Sequence, residues 1–121
     1  MYLNRLTLIG FTGADAETKT GNNGSTFTVL SVATKRSWKN ADNEWKSRTE
    51  WHRCIAFGRL TEFAASLKKG AHVQVEGELR SREYDKDGVK HKAFECRLES
   101  ILKLDRAARS DEPENGDDPD A

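Results

Sequence analysis

Long apolar runs are missing from this sequence. The longest is four residues, Cys54 to Phe57, against the ~18 that a membrane-spanning helix needs. Asn4, Arg5 and Thr7 break up any signal-peptide core near the start. A soluble, cytoplasmic protein that makes no use of a membrane is therefore expected. Cysteine is scarce too: Cys54 and Cys96 are the only two, each inside an apolar strand pattern and without a close Cys or His at zinc-binding spacing. Buried free thiols are the expected state, with a single disulfide as the alternative that a missing secretion signal disfavours. Phosphate-loop chemistry is also lacking, because the segment Gly21-Asn22-Asn23-Gly24 has no Lys-Ser/Thr ending. It reads as a hairpin turn. The best-placed carboxylate pair, Asp85 and Asp87, falls in a turn signal with no third acid or activating base nearby. No Ser-His-Asp order stands out either. An enzyme, a resident metal and a cofactor are accordingly not expected.

Charge is plentiful and unevenly spread. Lys/Arg and Asp/Glu number 20 each, yet residues 1–108 carry 19 of the bases against 14 acids, and residues 109–121 carry one Arg against six acids. A body of +5 joined to a tail of −5 suggests a basic binding surface with an acidic appendage. The 121 residues make one domain, able to bury roughly two-thirds of the surface its unfolded chain exposes. That domain is expected over 1–106. A disordered acidic tail is expected over 107–121, where both prolines lie and where Ala121 is the one apolar residue after Arg109.

Hydrophobic alternation predicts five strands, over 3–12, 26–37, 49–57, 72–84 and 90–104. The third and fourth are separated by one short helix over 60–67, with Leu60, Phe63, Ala64 and Leu67 at spacings of three and four. Lys68 and Lys69 suit its last turn and Gly70 its C′ position. A polar loop is expected over 39–48 and a turn at Asp85-Lys86-Asp87-Gly88. The apolar phase of the last strand shifts between Leu98 and Ile101, as a bulge would shift it, and Gly77 offers the fourth strand a place to bend. An all-β, five-stranded OB-fold barrel has this order.

Aromatic and basic residues interleave on several strands: Lys35, Arg36 and Lys39 around Trp38, Arg48 and Arg53 around Trp51, Arg59 beside Phe57, and Arg80 with Arg82 before Tyr84. In the stretch RTEWHRCIAFG, from Arg48 to Gly58, an extended chain puts Trp51, Arg53, Ile55 and Phe57 on one face and Glu50, His52, Cys54 and Ala56 on the other. Single-stranded nucleic acid exposes a phosphate chain and flat base faces, so cations that follow the first and aromatic platforms that stack on the second make a binder. Two further readings remain open: an RNA-binding barrel, since stacking is indifferent to the sugar, and a replication-assembly adaptor that uses the same fold for protein contacts.

The motifs SW at 37–38, TEWHR at 49–53, FGRL at 57–60, KKG at 68–70 and EGELRSREY at 76–84 resemble the bacterial-type single-stranded DNA-binding protein family. The resemblance spans about residues 3–104 and implies an OB-fold protein that shields single-stranded DNA in replication, recombination and repair. It implies base stacking by Trp38, Trp51, Phe57 and Tyr84, the last standing where a tryptophan is common. It implies backbone contacts by Arg5, Arg53, Arg59, Lys69 and Arg82, to which the interleaving adds Lys35, Arg36, Lys39 and Arg80. His52 matches a position near subunit contacts of a homotetramer, with a homodimer as the alternative, and a nucleoid-associated location in the cytoplasm follows. Phe11 and Thr12 depart from the usual polar-then-apolar pair, Glu83 replaces a common base, and the helix is about one residue shorter. The tail has the family's acids without its apolar-proline-phenylalanine tip, which leaves capture of replication and repair partners in question.

Overall fold

The structure, a computed structural model, describes residues 1–105. The acidic tail expected over 107–121 lies outside the described residues. The elements run β1 (Leu6–Thr12), β2 (Glu17–Thr20), β3 (Thr26–Lys39), β4 (Trp45–Phe57), α1 (Leu60–Ala65), β5 (His72–Lys86) and β6 (Val89–Lys103). Strands are hydrogen-bonded in the order β1-β5-β6-β4-β3-β2, and β1 also pairs with β3. That last pairing, Phe11 with Ala33 and Thr12 with Val32, closes β1, β3, β4, β5 and β6 into the expected five-stranded barrel. The remaining strand, β2, extends the edge of β3.

Alternation explains what the barrel encloses. Leu30 and Val32 of β3, Cys54 and Ala56 of β4, Val73 and Val75 of β5, and Cys96, Leu98 and Ile101 of β6 point inward, with Ala64 of α1 and Leu67 packed against them. Full burial of each Val or Leu side chain contributes about 1.5–3 kcal/mol. Two buried threonines satisfy their hydroxyls on backbone of α1 and of the turn after it. Thr28 donates to the Thr61 carbonyl at 3.0 Å, while Thr12 donates to the Lys68 carbonyl at 2.6 Å and accepts from the Ala71 N–H at 2.9 Å. These bonds tie α1 and the turn after it to the barrel.

Several boundaries differ from the sequence reading. The polar loop at 39–48 shrinks to a tight turn at 40–44, because the Asn40 side-chain oxygen accepts from the N–H groups of Asp42 and Glu44 at 3.0 and 2.9 Å, and Asn43 takes a positive φ of 65°. Strands β3 and β4 therefore continue as a long ribbon beyond the barrel. The second ribbon, β5 with β6, turns at Asp87 and Gly88 alone, whose φ values of 53° and 78° suit a two-residue hairpin. Helix α1 stops at Ala65, with Ser66 as its C-cap, and holds no base in its last turn. Gly70, at φ 86°, belongs instead to a separate turn in which Ala71 N–H donates to the Lys68 carbonyl at 3.2 Å. Leu79, in the same alternation phase as the inward Val73 and Val75, is exposed because it lies where the β5–β6 ribbon leaves the core. The expected bulge is present: Glu76 pairs with Ser100 and Gly77 with Leu98, leaving Glu99 as the extra residue. Gly77 serves close approach more than bending, since a Cβ there would collide with the Arg97 carbonyl on the facing strand.

Candidate nucleic-acid interface

Because Cys54 and Ala56 face the core, the intervening Arg53, Ile55 and Phe57 must face outward, and Trp51 and Trp45 continue that side along the ribbon. On β6 the inward Cys96 and Leu98 likewise turn Glu95 and Arg97 outward. The β5–β6 register sets Arg80 opposite Glu95, Arg82 opposite Ala93 and Tyr84 opposite His91 on this same side. Three strands thus contribute to one outer face.

Its charges are linked. Glu95 Oε1 lies 3.5 Å from Arg53 Nε and 3.3 Å from Arg82 Nε, so one carboxylate holds two guanidinium groups. Arg53 Nε is buried and has no hydrogen-bond partner among the described residues. Arg80 pairs with Glu78 at 2.6 Å. The aromatics of this face are matched with cations: the Arg97 guanidinium lies 4.5 Å from the Phe57 ring centroid and that of Arg82 lies 5.1 Å from the Tyr84 centroid. Tyr84 also stacks on His91, with centroids 5.3 Å apart and planes 19° off parallel. The Trp51 ring rests against Gly13, where a Cβ would strike it, and the residue remains 62% exposed.

Not every expected residue gathers here. The β3–β4 register, Trp38 with Lys46 and Ala33 with Trp51, puts Trp38 on the opposite side of the ribbon from Trp51. There Trp38 lines a cleft of about 500 Å³ with Thr34, Lys35, Arg36, Arg48 and Glu50. Arg5 pairs with Glu76 at 3.9 Å on the β1–β5 side of the barrel. Arg59 is the N-cap of α1, separated from the end of β4 by Gly58. Lys69 donates its backbone N–H to the Asp15 carboxylate at 2.8 Å. His52 is half-buried on the inner side of β4, with Nε2 2.8 Å from the Thr34 hydroxyl.

Three residues of the face escaped the sequence reading. Trp45, 71% exposed, carries Lys39 Nζ 5.7 Å from its ring centroid; the alternation Trp45, Ser47, Thr49, Trp51 could have extended the strand to it. Arg97 and Glu95 were detectable as the outward neighbours of a buried Cys96, but their partners lie on other strands.

The family model described as the single-strand binding protein family matches residues 3–104. The chain is 41% identical over 105 residues to single-stranded DNA-binding protein 1 of Xylella fastidiosa (strain 9a5c), covering 84% of this chain and 77% of that protein. Among solved structures it is similar to the Plasmodium falciparum SSB complex with ssDNA, with a TM-score of 0.77, 29% identity, and 87% of this chain and 97% of that one covered. It is also similar to a deletion mutant of the single-stranded DNA-binding protein from Thermus aquaticus, with a TM-score of 0.72, 29% identity, and 85% of this chain and 51% of that one covered. A barrel of this topology, with cation-matched aromatics across three strands and a family model matched over nearly all of it, belongs to the single-strand binding protein family.

Proposed function

We propose that this protein is a non-catalytic, sequence-tolerant binder of single-stranded DNA that shields the strand during replication, recombination and repair. The observation that carries this is the outer face of β4, β5 and β6, where Trp51, Phe57 and Tyr84 alternate with Arg53, Arg82 and Arg97. Bases stack on the rings while phosphates run past the guanidinium groups. The Trp38 cleft and the exposed Trp45 extend the path onto the β3–β4 ribbon, and Arg36, Lys39, Arg59 and Lys69 add positive charge along it.

The proposal includes a homotetramer at work in the cytoplasm, associated with the nucleoid. The exposed Ile9 and Leu102, on either side of the half-buried Gln74 on neighbouring strands, support self-association, as does the stack of Phe11 on His72 at 4.4 Å beside them. An apolar sheet face of this kind fits a second copy of the chain. His52 belongs to the same assembly in this reading.

Intrinsic tryptophan fluorescence should fall on adding oligo-dT, because stacking quenches exposed indoles. Trp51→Ala should weaken binding by about 1–3 kcal/mol with little change in thermal stability. A lower Tm with unchanged affinity would assign Trp51 to packing against Gly13 instead. Matched oligo-dT and oligo-rU titrations compare DNA with RNA, and tighter binding of the RNA would overturn the choice of substrate.

A further inference from the structure

Strands β4 and β6 are joined through only two register pairs, Cys54 with Cys96 and Ile55 with Arg97, as few as join β1 to β3. Both cysteines of the chain therefore stand directly opposite one another at a short seam. Parallel neighbours are spaced about 4.7–4.9 Å apart, inside the Cα separation of about 4.4–6.8 Å that a disulfide spans. Both side chains point into the core, at 0% and 2% exposure, and both thiols are free. The Cys54 S–H donates to the His52 carbonyl, with sulfur and oxygen 3.8 Å apart. Interaction with the Cys96 side chain, together with burial, pushes the Cys54 thiol up, while interaction with Cys54 draws the Cys96 thiol below its ordinary value.

We propose that Cys54 and Cys96 form a redox-active dithiol, which hydrogen peroxide converts to an intramolecular disulfide stapling the β4–β6 seam. In the first step the Cys96 thiolate attacks a peroxide oxygen. An S–O bond forms, the O–O bond breaks, and hydroxide leaves and takes up a proton as water, leaving a sulfenic acid. In the second, Cys54 sulfur attacks the Cys96 sulfur, the S–S bond forms, the S–O bond breaks, and a second water departs with the Cys54 proton. Two thiols lose two electrons and one peroxide becomes two waters. A dithiol reductant reverses the reaction by thiol–disulfide exchange. Access comes from the seam itself, because a ladder of two pairs opens locally at far lower cost than the long ladders beside it. A reversible bond of this kind suits a reducing compartment, where disulfides are typically transient and redox-sensing. Arg53 and Ile55 flank Cys54, and Glu95 and Arg97 flank Cys96, so the staple lies directly beneath the outer face. Any effect on strand binding rests on the function proposed above, whereas the thiol chemistry does not.

The reduced full-length protein is treated with hydrogen peroxide, then denatured and analysed by thiol titration, intact mass and non-reducing electrophoresis. Both thiols should disappear together, with loss of two hydrogens from the monomer, and dithiothreitol should restore both. Cross-linking the seam should raise Tm by at least about 5 °C. Cys54→Ser should stop the reaction at a Cys96 sulfenic acid that dimedone traps, and Cys96→Ser should yield no loss of two hydrogens. Thiols that stay unreacted in the native protein, gain oxygen without joining, or appear only as covalent dimers would each overturn the proposal. DNA binding is measured separately on the oxidised and reduced forms, so its failure leaves the thiol result standing.

Discussion

Glu95 stands 3.5 Å from Arg53 and 3.3 Å from Arg82, two residues that contact phosphate in the proposed function. A carboxylate there offsets the charge of two phosphate-binding candidates whenever the strand is absent. The pairs are partly exposed, so each is worth at most about 1 kcal/mol, and an arriving polyanion can replace them. Glu95→Gln keeps the shape and removes the charge. Affinity for oligo-dT at low salt should rise by up to about fivefold, with the gain shrinking as salt screens all the charges. Titration at two salt concentrations measures this. Weaker binding by the variant would mean that Glu95 aims the guanidinium groups more than it competes with phosphate. The same competition applies less to Arg97, whose guanidinium lies over the Phe57 ring at 4.5 Å and must share that ring with any stacked base.

The β5–β6 hairpin carries Arg80, Arg82, Tyr84 and Glu95, and its register is pinned by the bulge at Glu99. Gly77 sits at that bulge with the Arg97 carbonyl and the Leu98 Cα pressed against the space a Cβ would need. Gly77→Ala should therefore overpack the ladder, at a cost of about 1–3 kcal/mol, and lower Tm by several degrees. Thermal unfolding followed by circular dichroism checks it; an unchanged Tm would show that the strands separate there at little cost. The bulge was legible in advance, because a slip of one residue moves the apolar set to the other face and leaves a visible phase change between Leu98 and Ile101. The five barrel strands were legible for the same reason of period. The turn at 40–44 was not, since Asn40 and Asn43 read as generic loop polarity until their hydrogen bonds are seen. Nor was β2, whose four residues Glu17–Thr20 are all exposed and owe their extended shape to pairing with β3. Cation and aromatic neighbours in sequence pointed to the chemistry proposed above. Which side of a ribbon each occupies, as with Trp38 against Trp51, depends on the register with the partner strand.

At the scale of the molecule, charge separates along the chain: 19 bases against 14 acids in residues 1–108, and one base against six acids in residues 109–121. A basic body that binds a polyanion releases counterions, so the logarithm of the binding constant should fall with the logarithm of salt by about 0.7 for each phosphate neutralised on a single strand. A slope near zero would remove the phosphate contacts from the proposed function. Sedimentation of the free protein tests the assembly in parallel, with a tetramer expected at micromolar concentration and a monomer contradicting it. The six acids should complicate the same salt series, because acids joined to a basic body are expected to compete with DNA at high effective concentration. Such attraction is screened over about 8 Å at physiological salt. Deleting residues 111–121 should therefore raise affinity at low salt, leave it nearly unchanged at high salt, and steepen the measured slope. The comparison is decisive because a tail without contact to the body would leave both curves superimposed, and a tail that helped to recruit the strand would shift them the opposite way.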